Sequence, residues 1–106
     1  MAQTFKSAAN QNITTVTTVL TSPAATTCVI ISLIVANTGA TDTTVTVSAT
    51  KSGGSVTNLI FQTPLPGNSN LTVLNSNNRL VLETGDLIKV TAAVATDCYI
   101  SYLAVT

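Results

Sequence analysis

From Thr43 to Thr50 the chain alternates strictly, with Val45, Val47 and Ala49 on one side and Thr44, Thr46 and Ser48 on the other. A period of two predicts a strand with one buried face and one wet face. Leu87 to Val94 repeats the pattern, with Ile88, Val90 and Val94 inward and Lys89 and Thr91 outward. The Gly85-Asp86 turn is expected to join it to Arg79 to Glu83 as a hairpin. Thr26 to Ala36 is apolar on both sides, Ile30, Ile34 and Ala36 on one and Val29, Ile31, Leu33 and Val35 on the other. That pattern predicts a central strand, or a strand whose outer face meets another subunit. Ile13 to Leu20 spaces Ile13, Val16 and Leu20 like a helical stripe, but its β-branched neighbours favour a strand.

Turn residues divide the chain at Ser22-Pro23, Asn37 to Asp42, Lys51 to Gly54, Pro64 to Ser69, Asn75 to Asn78, Gly85-Asp86 and Thr96-Asp97. Breaks at such short intervals predict one all-β domain, an antiparallel sandwich of jelly-roll type with roughly seven to nine strands, over residues 13–106. Residues 1–12 read as an arm of low order whose single large apolar side chain, Phe5, is the candidate partner-docking residue.

Composition sharpens this picture. Thr, Val and Ile make up 40 of the 106 residues, and β-branched side chains fit a pleated sheet better than a helix. Only four acidic and four basic residues are present, with no histidine, so the polar surface falls to 21 Thr, 9 Ser and 9 Asn. Such a surface is wettable yet weakly self-repelling, and at zero net charge it points to association with other subunits. Lys6, Lys51, Arg79 and Lys89 are too scattered to form the basic patch that nucleic acid requires. The longest apolar run, Cys28 to Ala36, is under half the length of a membrane-spanning helix. The first twelve residues lack the apolar stretch of a secretory signal, which predicts folding in a cytoplasm. There Cys28 and Cys98 are expected as free buried thiols, a disulfide being the alternative if their strands run the same way.

Catalytic readings fail for want of parts. Without histidine there is no Ser-His-Asp or Cys-His arrangement, and Asp42, Glu83, Asp86 and Asp97 each fall at a turn or strand end, where Asp bonds to backbone N–H groups. The cysteines lie 70 positions apart with no CxxC partner, which argues against zinc or redox chemistry. Gly53-Gly54 and Pro66-Gly67 lack the lysine and following helix of a phosphate loop, and Asn75 to Asn78 lacks the carboxylates of a calcium site. Asn12-Ile13-Thr14 and Asn70-Leu71-Thr72 are formal glycosylation sequons without a secretory signal. Glycan binding is disfavoured because Tyr99 and Tyr102 point to opposite faces of the last strand and form no shared stacking platform. No catalytic residue, cofactor or metal is therefore assigned.

The stretches Ser22-Pro23-Ala24-Ala25-Thr26-Thr27, Val35-Ala36-Asn37-Thr38 and Leu80 to Val90 together resemble small structural proteins of tailed bacteriophages, especially those of cyanophage and other aquatic phage genomes. The resemblance spans nearly the whole chain and implies a virion protein: a capsid decoration or cement subunit bound to the major capsid protein, or a neck or tail component. It also implies a homotrimer, since small decoration proteins often occupy threefold positions. A receptor-binding or glycan-binding head module is the alternative.

Overall fold

The computed structural model describes residues 2–75 and 79–106. Among them it has nine strands and no helix: β1 (Gln3–Ile13), β2 (Thr17–Thr21), β3 (Thr27–Asn37), β4 (Thr43–Thr50), β5 (Val56–Leu65), β6 (Asn70–Leu74), β7 (Leu80–Leu82), β8 (Leu87–Ala92) and β9 (Thr96–Val105). Every paired strand is antiparallel to its neighbour. The first sheet has the order β1-β9-β3-β6, with β7 also on β3, and the second the order β2-β8-β4-β5. First pairs with last, second with penultimate and third with seventh, with β4 and β5 as the innermost pair, which is the wrapping of a jelly roll.

The two sheets bury a shared core. Ile30, Leu33, Val35 and Ile100 of the first sheet and Val45, Val47, Ile88 and Val90 of the second are fully buried. Each such side chain contributes on the order of 1.5–3 kcal/mol by leaving water. Val45 and Val47 of β4 are buried as their alternation requires, opposite Ala92 and Val90, whereas past an irregularity with β5 at Val47/Ser48 it is Ser48 that is buried and Ala49 only half-buried. At the open ends of the sandwich Asn37 is buried and joins three segments. Its Nδ2 donates to the carbonyls of Thr41 and Leu65, at 2.8 and 3.2 Å, and its Oδ1 accepts the Gly39 N–H at 3.0 Å.

Several sequence expectations change in the structure. Residues 3–13, expected largely within a loose arm, are β1, in continuous register with β9 from Gln3 opposite Val105 to Asn10 opposite Cys98. An edge strand held by its ladder needs few apolar anchors, which is why its sequence carries so weak a signal. The strand expected over Ile13 to Leu20 is divided: Ile13 ends β1, Asn12 has a left-handed φ of 55°, and β2 begins at Thr17 in the other sheet. In β3 the pairing with β9 shifts between Ile30 and Ser32, so a bulge brings Leu33 and Val35 onto the same buried side as Cys28 and Ile30. The two-faced apolar alternation predicted for this strand is thereby corrected by one residue.

The expected hairpin at Gly85-Asp86 does not form. β7 lies on β3 in the first sheet and β8 lies between β2 and β4 in the second, so this turn carries the chain across the core. β8 stops at Ala92, which takes the inward place expected for Val94, and the break expected at Thr96-Asp97 falls earlier because Thr96 is already the buried first residue of β9. Of the turn expected at Asn75 to Asn78, residues 76–78 lie outside the described residues.

Candidate assembly surface

The outer face of the first sheet follows from strand register. On β1, Phe5, Ser7 and Ala9 point away from the core and stand opposite Leu103, Ser101 and Tyr99 of β9. Those in turn stand opposite Val29, Ser32 and Ile34 of β3. Val81 of β7 extends the first row beyond Val29. Two apolar bands result, Phe5-Leu103-Val29-Val81 and Ala9-Tyr99-Ile34, separated by the serine row Ser7-Ser101-Ser32. Phe5 is 77 % exposed, Val81 55 %, Tyr99 52 % and Ile34 39 %. Exposed apolar side chains in contiguous rows, rather than singly, mark an interaction surface.

Within the second band lies a shallow pocket of about 180 Å³ lined by Ala9, Gln11, Ile34, Ala36 and Tyr99. Its floor is low because two alanines stand beside larger neighbours. The one ionisable carboxylate at its rim, Asp97, accepts the Asn12 N–H at 3.0 Å.

The other sequence candidates are dispersed. Asp42 Oδ1 accepts the Gly67 N–H at 3.0 Å. Asp86 is buried, accepting the Ser52 N–H at 2.9 Å, the Glu83 N–H at 3.0 Å and the Lys51 ammonium at 2.7 Å. Lys51 also reaches Glu83 Oε1 at 2.8 Å. The hydrogen bond from Lys51, followed by that from the Ser52 backbone, holds the Asp86 carboxyl below its ordinary range, while the same pairing raises Lys51. The acids thus serve as turn and loop fasteners in the fold, in keeping with the turn chemistry read from their positions.

Cys28 and Cys98 are free and buried on neighbouring antiparallel strands, Cys28 opposite Ala104 and Cys98 opposite Val35, and so lie at opposite ends of the sheet. Desolvation pushes the Cys98 thiol up to about 12. Among the described residues no group of three or more Cys, Asp or Glu side chains is placed to hold a metal ion. Tyr99 faces outward from the first sheet while Tyr102 packs against the core, as strand alternation required. On the second sheet a wider groove of about 450 Å³ is lined mainly by Thr14, Thr15, Thr44, Thr46, Thr91 and Gln62. No acid, base or aromatic ring lines it.

Of the sequence candidates, Phe5 does belong to the exposed surface, though as part of a strand rather than an arm. The bands themselves could not be read from the sequence, because they are assembled across strands by register. The odd-numbered run Tyr99, Ser101, Leu103 and its counterpart Phe5, Ser7, Ala9 was the available signal.

No protein-family model matches the chain, and no curated protein matches it. Among solved structures it is similar to a protein of Bacillus endospore appendages, described as a novel family of disulfide-linked pili. The TM-score is 0.57 at 13 % identity, over 99 % of this chain and 87 % of that one. At that identity the likeness is one of fold alone, a small all-β domain.

Proposed function

We propose that this chain is a structural subunit of a virion that works by assembly rather than catalysis, and that its site of action is the capsid surface, where it decorates and braces coat subunits. The observation that carries the proposal is the exposed two-band apolar face of the first sheet on a domain with only eight charged residues. Apolar contact spread over a joint adds binding free energy, and low charge keeps the desolvation cost small. The whole-chain resemblance to phage structural proteins supports the virion setting.

A neck, tail or fibre component is the second reading, favoured by the shared fold with an appendage protein that builds pili. Here the cysteines are buried, so association of this chain relies on non-covalent contacts. Binding of the purified protein to undecorated heads, together with its copy number in purified particles, tests the proposal. Saturable binding and hundreds of copies support decoration. Failure to bind heads with about six to twenty copies favours the neck or tail, and absence from particles removes the virion reading.

A further inference from the structure

The apolar face has an internal symmetry that specifies its occupant. Phe5 and Ala9 lie on the same side of β1, about 13 Å apart at the usual strand rise, with Ser7 midway. Across the sheet, Leu103 and Tyr99 lie on either side of Ser101, and Val29 and Ile34 on either side of Ser32. A half-turn about an axis lying along the serine row exchanges the two bands. Placed on its own rotated image, the face sets Phe5 over Ala9, Leu103 over Tyr99 and Val29 over Ile34. The largest protruding ring then meets the smallest side chain, and the serines meet one another at the axis.

We propose that the outer face of the first sheet is covered by a second copy of this chain in a twofold, face-to-face dimer, with Phe5 of each copy seated in the pocket beside Tyr99 and Ile34 of the other. This deepens the assembly reading and rests on it. The pocket measures about 180 Å³, and an apolar cavity of about 150 Å³ accepts a benzene ring. A twofold contact uses each ring and each pocket once and leaves none open, so the assembly closes. The outer face of the first sheet spans about 30 Å by 19 Å from strand rise and spacing, with the two bands and the serine row across its middle, giving roughly 600 Å² per copy and roughly 1,200 Å² for the pair, the lower bound of a stable specific interface. Among the described residues the side chains of the two bands and the serine row are uncharged, with Asp97 at one end and Arg79 and Glu83 flanking Val81 in sequence, so a partner of one opposite charge gains little there, whereas a second copy sets Phe5, Leu103 and Val29 over Ala9, Tyr99 and Ile34.

Sedimentation equilibrium on the full chain tests this. The native protein is expected as a dimer or a multiple of it. Phe5→Ala, which removes the ring, and Ala9→Trp, which fills the pocket, are each expected to weaken association about tenfold or more, as for a buried aromatic anchor. Circular dichroism of both variants checks that the sheet is retained. Phe61→Ala, which removes another exposed ring on β5 of the second sheet, serves as the control and should leave association unchanged. Ser7→Cys places one thiol near the axis in each copy, and a short bismaleimide should then link the two copies efficiently.

A monomer at the highest soluble concentration overturns the proposal. So does equal weakening by Phe61→Ala and Phe5→Ala, or a dimer that does not cross-link through Ser7→Cys. A protein that binds heads as a monomer removes this contact and leaves the virion reading intact. A dimer with the expected behaviour that is absent from particles and ignores heads leaves the contact standing and removes the virion reading.

Discussion

Asp86 accepts the Ser52 backbone N–H at 2.9 Å, tying the loop after β4 to the turn that carries the chain from β7 to β8. The same carboxylate receives Lys51 and the Glu83 N–H, so one buried side chain fastens two connections on one side of the sandwich. Gly85 completes the joint, with a φ of 86° that suits glycine and its Cα close to Ser52.

This joint makes stability depend on pH. The native Asp86 carboxyl is held below its ordinary value of 3.8, so the folded state binds that proton less readily than the unfolded chain. The stabilisation is complete above about pH 5 and is lost as pH falls through the ordinary carboxylate range toward the depressed native value. Melting temperature should therefore fall between about pH 5 and pH 3. Asp86→Asn should lower it at neutral pH and flatten that dependence, as read by calorimetry across the range.

The thiols should be inert in the folded protein. With desolvation pushing the Cys98 thiol up to about 12, almost none of it is thiolate at pH 8. Cys28, at the other end of the same sheet, is fully buried. Ellman's reagent is expected to react slowly with native protein and to titrate two thiols at once in denaturant. Rapid labelling of the native protein would show that the sheet opens readily at β3 and β9.

Leu33 and Ile34 are adjacent in sequence and opposite in role. Leu33 is fully buried, and Leu33→Ala should cost about 2–5 kcal/mol by lost transfer energy and residual cavity. Ile34 is 39 % exposed on the outer face, so Ile34→Ala should cost well under that while weakening association. Urea denaturation run beside sedimentation separates the two effects.

Gly67 is required for space rather than for an unusual dihedral angle. A Cβ there would lie 2.5 Å from the backbone C and O of Ala40. The loops on either side would have to part, so Gly67→Ala should destabilise by about 1–3 kcal/mol, as overpacking does. Thermal unfolding of the variant reads this directly.

Deleting residues 1–8 removes most of β1 and bares the edge of β9. The shortened protein is expected to melt lower and to aggregate on heating, because an unpaired edge invites pairing with another chain. Light scattering during a thermal ramp distinguishes this from the harmless loss of a loose tail.

How far the sequence disclosed this arrangement depended on whether the signal was local. β4 was legible because Val45, Val47 and Ala49 alternate without interruption against polar neighbours, and the all-β class followed from β-branched content. β1 was hidden because Gln3 to Asn10 places only Phe5 among small and polar residues, and its pairing with β9 is made by backbone groups that every sequence has. The Gly85-Asp86 turn was misread because the residues that permit a hairpin also permit a crossing between sheets. The bulge at Ile31 was invisible for a related reason: an unbroken apolar run does not record where its parity slips. The surface of interest depends on all three, since its rows exist only once β1, β9 and β3 are in register.

The closing pair of strands has a mechanical consequence. The Thr106 N–H donates to the Ala2 carbonyl at 2.9 Å, so these two residues lie side by side at one end of the first sheet. A pull applied through both would open the β1–β9 ladder like a zipper, loading its hydrogen bonds one at a time. A load entering through the face of the sheet is instead shared by β1, β9 and β3 together. An assembly joined face to face therefore bears tension where this domain is strong and spares the seam where it would peel.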